Sequence, residues 1–331
     1  MLCCPQCFGD SFLTAKIARY AIAQGRCEFC SADAQPLVEP SAILEDFETV
    51  VAVYEEDPSG VSVIDVLKEE WHLFSSFPQI DQSPLLEMIM GGGFCQKSYV
   101  VDSSLGQRQV KEWEDFRSEL KHRHRFFPES GPNLDHLEDL LAYLEVKLMP
   151  RSYFRARVQV NGQYGMDAMG MPPIDTCGNG RANPSGIPYF YIASDESTAL
   201  AEVRPHPGDV VSVGRFTLDT EKVVVDLRDP RGCISPFGKD EDTLRALRQD
   251  LMFLQKLSDD LAKPYQPRMA HLEYLPTQYL CEFIRKAGFA GVVYRSAVGE
   301  GTNFVLFSEE DFHCDAVSSI AIAAVKVIPA F

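Results

Sequence analysis

The apolar positions change their period near residue 149. Between 36 and 148 they recur every three or four residues, as in Pro84-Leu-Leu-Glu-Met-Ile-Met and Leu134-Asp-His-Leu-Glu-Asp-Leu-Leu-Ala-Tyr-Leu. That spacing predicts helices, the first broken by Gly91-Gly-Gly. From 149 onward the apolar runs are short and rich in β-branched and aromatic residues. They fall at Tyr153–Val158, Tyr189–Ala193, Val210–Phe216, Val223–Leu227, Gly291–Tyr294 and Asn303–Phe307, and each predicts a strand. Two helices interrupt them, at about 240–262 and 276–287, the second closed by Gly288. Strands outnumber helices and their order is irregular, so the expected class is α+β, with a mixed α/β C-terminal domain. No G-x-G-x-x-G opens a helix after a strand and no Walker sequence is present, which disfavours a dinucleotide-binding oxidoreductase or a P-loop NTPase. The tail Ile320-Ala-Ile-Ala-Ala-Val-Lys-Val-Ile-Pro is too short for a membrane span and carries Lys326, so it reads as a buried strand.

A length of 331 residues corresponds to about two domains with room for a small third module. The expected boundaries are 1–35 for a small cysteine module, 36–148 for a mainly helical domain and 149–331 for the mixed domain. Apolar residues at 45% and charged residues at 24% are ordinary for a globular protein. The net charge of −17 argues against a general nucleic-acid binder, which needs a positive face. Residues 36–90 hold 12 acidic side chains and a single basic one, Lys68, a run that normally marks a solvated face. The first residues lack the basic and apolar regions of a secretion signal, so a cytoplasmic protein is expected.

Five of the ten cysteines lie in the first 30 residues; the others are scattered singly and read as reduced, buried thiols. Cys4-Pro-Gln-Cys7 and Cys27-Glu-Phe-Cys30 are two CxxC knuckles separated by 19 residues. Together they can offer four thiolates to one tetrahedral zinc ion, leaving no coordination position for water. The zinc would therefore be structural. Cys3 is a substitute ligand only at the wrong spacing to Cys7.

The one basic cluster is Arg117-Ser-Glu-Leu-Lys-His-Arg-His-Arg-Phe-Phe-Pro. Arg117 and His122 match the loose R-x4-6-H pattern of HEPN-family ribonucleases. On a helix they stand about 140° apart, whereas Arg117 and His124 nearly eclipse. The alternative is a basic face that contacts the acidic 36–90 segment or the next domain.

The densest chemistry lies in 177–205. Gly, Asn, Pro and Ser at 178–186 make an irregular loop that carries Arg181. A strand follows, and Ser194 or Asp195 caps a short helix in which Glu202 sits among Ala199, Leu200, Ala201 and Val203. A carboxylate in apolar company needs a partner or a task. From the residues alone, an Arg–Glu ion pair pinning a loop explains the pattern as well as a catalytic site does. Tyr191 reads equally as a strand core residue, Ser296 as a loop serine, and Arg204 and His206 as surface groups.

The ordered elements Gly180-Arg-Ala-Asn-Pro-x-Gly-Ile-Pro, Tyr191-Ile-Ala-Ser-Asp and Thr198-Ala-Leu-Ala-Glu202 resemble the RES domain family, named for an Arg, a Glu and a Ser. Gly288-Phe-Ala-Gly-Val-Val-Tyr-Arg-Ser296 and Gly301-Thr-Asn-Phe-Val-Leu-Phe307 continue the match, which covers about 149–331. The family's first arginine then falls on Arg155, with Arg157 two residues along the same strand face. Its usual Gly-Arg-Trp-Asn is Gly-Arg-Ala-Asn here, so stacking by that Trp is absent. The N-terminal half is similar, more weakly, to the helical HEPN-like region that precedes longer RES domains.

The resemblance implies an ADP-ribosyltransferase-like fold and a toxin of a toxin–antitoxin pair that consumes NAD, by phosphorolysis or hydrolysis of the nicotinamide–ribose bond. A mono-ADP-ribosyltransferase acting on protein uses the same pocket. A third reading, from another class, is an RNA-directed protein acting through the zinc module and the 117–125 cluster. Under the first reading Arg155 and Arg181 anchor the pyrophosphate, and Tyr191 stacks on the cationic nicotinamide. Glu202 stabilises an oxocarbenium-like ribose or grips its hydroxyls, and Ser296 orients Glu202 or the nicotinamide amide. NAD as substrate, inorganic phosphate and a small helix-turn-helix antitoxin are the implied partners, with no membrane and no nucleic acid.

Overall fold

The structure is a computed structural model that describes residues 1–75, 80–102 and 104–325. It divides into two compact units, one of residues 1–110 with 229–255 and one of residues 111–228 with 256–331. These limits do not coincide with boundaries at 35 and 148. Among the described residues no helix is long and apolar enough to cross a membrane.

The first unit holds helices α1 (Ser11–Tyr20), α2 (Leu44–Val51), α3 (Val63–Trp71) and α4 (Ser83–Met90). It also holds two antiparallel ribbons, β1 (Ala23–Gly25) with β2 (Gln35–Leu37) and β3 (Glu56–Ser62) with β4 (Ser98–Tyr99). Its core is aromatic: Phe47 lies 5.8 Å from Phe8 and 4.9 Å from Phe237, centroid to centroid, and Phe74 packs on Phe8. Beside it runs a buried polar chain. Trp71 donates to the Tyr54 hydroxyl (2.7 Å), which donates to Glu70 (2.7 Å), and Arg248 donates to both carboxylate oxygens of Glu70 at 2.8 and 3.1 Å.

The second unit is built on an eight-stranded mixed sheet. Its strands are β5 (Glu145–Leu148), β6 (Ser152–Val158), β7 (Phe190–Ala193), β8 (Val210–Leu218), β9 (Lys222–Asp226), β10 (Gly291–Arg295), β11 (Thr302–Leu306) and β12 (Phe312–Ala321). They lie in the order β12-β8-β6-β7-β11-β10-β9-β5. Only β9 and β10 run parallel; the other adjacent pairs are antiparallel. The helices are α5 (Gln107–His122), α6 (Leu134–Ala142), α7 (Glu196–Glu202), α8 (Glu241–Ala262) and α9 (Leu275–Lys286), with α5 and α8 each divided between the units. Gly288 adopts φ +93°, the left-handed conformation that stops α9.

One gap in the sheet decides where the cavity lies. β6 pairs with β8 over seven residues but touches β7 at a single pair, Phe154 with Ala193. Tyr153, Phe190, Phe216, Val293 and Phe304 fill the large core cluster. A second cluster, made of small residues, sits beneath α7: Ala156, Ala193, Ala199, Val211 and Val213. Small side chains there let the helix approach the strands closely.

The expected buried strand at 320–329 needs correction. β12 ends at Ala321, and Val325 is 50% exposed. It is an edge strand, with a neighbour on one side only, and Asp315 sits at a bulge. Residues 326–329 of that stretch lie outside the described residues.

Removing Arg248 would leave the buried Glu70 carboxylate without its cation. Arg248→Ala is expected to cost about 3–5 kcal/mol, read as a fall in the denaturant midpoint of the full chain.

Candidate functional site

A cavity of about 290 Å³ opens where β6 and β7 part, lined by residues of β6, β7, α7, β10 and β11. Arg155, from β6, lines it. Its Nη1 donates to the Tyr191 carbonyl at 2.8 Å, and its cation lies 5.5 Å from the Phe190 ring centroid. That side-chain bond satisfies a carbonyl for which the gap provides no strand partner. Arg155 Nε is buried and has no partner among the described residues. Burial, followed by the nearby charge of Arg157, lowers the guanidinium pKa to about 10, so it stays cationic at neutral pH. A guanidinium on a cavity wall fits an anionic group such as a phosphate.

Arg157 does not line the cavity. Its Nη1 donates to the Ala168 carbonyl at 2.7 Å, so it pins the following loop.

Tyr191 lines the cavity, and its hydroxyl points into the 177–186 loop. There it donates to Asn183 Oδ1 (2.7 Å) and accepts from the Ala182 amide (3.0 Å). Gly180 is dictated by this contact: a Cβ would stand 2.2 Å from Asn183 Oδ1 and 2.7 Å from the Tyr191 hydroxyl. Gln278, buried on α9, donates to Asn179 Oδ1 and to the carbonyls of Gly180 and Asn183 at 2.7–3.0 Å. Helical spacing alone marks Gln278 as one more core-facing position, so its role was not legible in the sequence. Arg181 is not in the cavity lining. Its Nη1 donates to the Lys263 carbonyl at 2.7 Å, and its cation lies 5.4 and 5.5 Å from the rings of Tyr265 and Tyr274.

Glu202, the last residue of α7, lines the mouth of the cavity and is exposed. Ser296 Oγ donates to its Oε1 at 2.6 Å, and Asn303 Nδ2 donates to the same oxygen at 2.6 Å. The Ser296 oxygen in turn accepts from the amides of Val298 (3.2 Å) and Gly299 (2.9 Å). Tyr294, from β10, completes the wall beside Glu202; burial, and then the Glu202 charge, push its phenol well above the usual range. The structure thus brings Arg155, Tyr191 and Glu202 to one cavity, with Ser296 bonded to Glu202, and it adds Tyr294 and Asn303.

Asp195 fixes the start of α7. It accepts from the hydroxyls of Ser194 (2.7 Å), Ser197 (2.5 Å) and Thr198 (2.8 Å) and from the Thr198 amide (2.8 Å). Burial would raise its carboxyl, but these donors win and hold it well below the usual carboxylate range. Gly301 packs onto the same cluster, where a Cβ would stand 2.2 Å from Thr198 Oγ1.

The four sulfurs of Cys4, Cys7, Cys27 and Cys30 lie within 4.8 Å of one another, all buried. Cys4 and Cys30, and Cys7 and Cys27, are 3.4 Å apart, and Cys4 and Cys7 are 4.0 Å apart. Thiolates about 2.3 Å from one tetrahedral ion stand about 3.8 Å apart, so the cluster fits zinc. Cys3 is not one of the four, and its backbone pairs with Val38.

Arg117 and His122 do not converge. Arg117 is buried against Asp260 at 3.2 Å, an aspartate that also accepts from Trp113 Nε1 at 2.8 Å, whereas His122 is exposed at the end of α5. The ion pair holds the arginine inside the unit, so the ribonuclease-like pairing is not formed. Phe126 and Phe127 follow, 87% and 88% exposed.

The family model described as "RES domain" matches residues 153–325. The chain belongs to the RES domain family. No curated protein matches it. Among solved structures it is similar to a chain of the M. tuberculosis MbcT-MbcA toxin-antitoxin complex, at 12% identity over 56% of this chain and 92% of that one, with a TM-score of 0.36. The RES match spans every residue that lines the cavity.

Two outcomes test this geometry. The folded pKa of Asp195 lies below its unfolded value, so the stabilisation is present above the unfolded pKa, about 4, and is lost as pH falls below it. Asp195→Ala should therefore cost about 1–2 kcal/mol at pH 7, with the difference from wild type shrinking in unfolding curves below about pH 4. Elemental analysis of the purified chain should find about one zinc per molecule, and Cys27→Ser should lose it together with thermal stability.

Proposed function

We propose that this RES domain consumes NAD by breaking the bond between nicotinamide and ribose. The observation that carries the reading is the convergence of Arg155 and Glu202, from separate elements, on one cavity walled by Tyr191 and Tyr294. Arg155, a cation in the cavity lining, binds a phosphate oxygen of the dinucleotide. The Tyr191 ring takes the cationic nicotinamide by stacking and cation–π attraction. As the N-glycosidic bond breaks, nicotinamide leaves with the electron pair and positive charge grows on the ribose. Glu202 stabilises that charge or holds the ribose hydroxyls, and Ser296 keeps the carboxylate in place. Inorganic phosphate, water or a protein side chain then supplies the oxygen or nitrogen that closes the ribose C1′. A phosphate acceptor makes the enzyme a phosphorylase, water a glycohydrolase and protein a mono-ADP-ribosyltransferase. Arg181, outside the cavity lining with Nη1 on the Lys263 carbonyl, has its remaining donors for the pyrophosphate.

The catalytic module on this reading is 149–331, preceded by a HEPN-like helical region at 36–148 and a structural zinc module at 1–35. An enzyme that drains NAD harms its own cell, which supports a cytoplasmic toxin held in check by a small helix-turn-helix antitoxin. The RNA-directed alternative loses Arg117 to the core and keeps the zinc module with the exposed Arg123 and Arg125.

Incubating the full chain with NAD, with and without phosphate, tests the reading. Loss of NAD should occur and should fall about a hundredfold or more in Glu202→Gln, with an unchanged unfolding temperature. Phosphate dependence separates phosphorolysis from hydrolysis, and label appearing on protein identifies transfer. Equal NAD loss in Glu202→Gln and wild type would refute the assignment.

A further inference from the structure

We infer that Asn303 is a positioning residue that makes Glu202 act through one oxygen, Oε2. This rests on the NAD-consuming reading of the cavity and deepens it. A glutamate at the end of a seven-residue helix, exposed to solvent, has three torsions free to sample and would present its carboxylate in many orientations. Here two donors from different segments meet on the same atom: Ser296 Oγ and Asn303 Nδ2, each 2.6 Å from Oε1. No described residue is seen to donate to Oε2. Charge-assisted bonds of this length are among the stronger side-chain contacts, and two of them fix both the position and the rotation of the carboxylate.

The donors are themselves fixed. Asn303 is 6% exposed and lies in the middle of the sheet, opposite Tyr294 on one side and Ala193 on the other, so ladders on both flanks set where its amide points. The Ser296 oxygen is held by two backbone amides. With Oε1 engaged, Oε2 is the oxygen left to meet a ribose hydroxyl or the charge that develops beside it. The position also requires a donor: an aspartate there would set a second carboxylate against the first.

Steady-state NAD consumption by the full chain tests this with Asn303→Asp, which keeps the shape and reverses the polarity, and Asn303→Leu, which removes the donor. Both should lose about 10- to 100-fold in kcat while KM for NAD stays within about threefold. Asn303→Ser, smaller and still a donor, should fall between them and wild type, and it carries the test if the other two fail to fold. Wild-type kcat in folded variants would overturn the inference. So would a loss that vanishes once activity is corrected for the folded fraction, or a rise in KM at constant kcat. In those cases NAD consumption by wild type still stands. A wild-type chain that consumes no NAD removes the functional reading and this inference together.

Discussion

The hydrogen bond from Arg155 to the Tyr191 carbonyl holds together an arrangement that the sheet alone would not tolerate. Two strands that part after one pair leave backbone groups without partners in a buried setting, at a cost comparable to a lost hydrogen bond for each. The guanidinium crosses the gap and takes one of those carbonyls, at 2.8 Å. The same side chain then lines the opening it has made possible. Support for the gap and a cationic wall come from one residue.

The other wall is assembled by a different means. α7 approaches β6 and β7 over alanines, and its terminal Glu202 reaches the mouth of the cavity instead of its floor. Electrostatics sort the two ends of the helix. Asp195 at the start is saturated by four donors, whereas Glu202 at the end is bonded through one oxygen only. One carboxylate is saturated by protein donors, and the other meets them through Oε1 alone. The segments that hold Glu202, at Ser296 and Asn303, flank the Gly301 that must stay bare to pack on the Asp195 cluster. Cap, clamp and turn therefore form one connected set.

Much of this was legible beforehand. Apolar strands with neighbours on both sides, such as β7, β10 and β11, announce themselves through continuous Val, Ile and Phe runs. The two edge strands were not found: β5 reads Glu-Val-Lys-Leu, and β12 alternates exposed polar residues over most of its length. An edge strand buries too little to leave a strong apolar signal. Arg155, Glu202 and Ser296 were picked out by motif, whereas Tyr294 looked like one more apolar strand residue and Asn303 like a position within a motif of no stated role.

The sequence by itself determined the elements with strong local signals: the helix stops at Gly91 and Gly288, a helix cap at Ser194 or Asp195, the central strands and the paired CxxC knuckles. These depend on backbone torsions, side-chain period and short spacings, which neighbouring residues control. Only the tertiary structure decided which arginine faces the cavity. Arg155 and Arg157 share a strand face, and their roles separate because one carbonyl partner lies across the gap and the other in a loop at Ala168. It also decided that Arg117 is buried against Asp260 and that Oε1 of Glu202 collects both donors. Each of those choices depends on groups brought together from distant parts of the chain, and no local pattern encodes a distance between them.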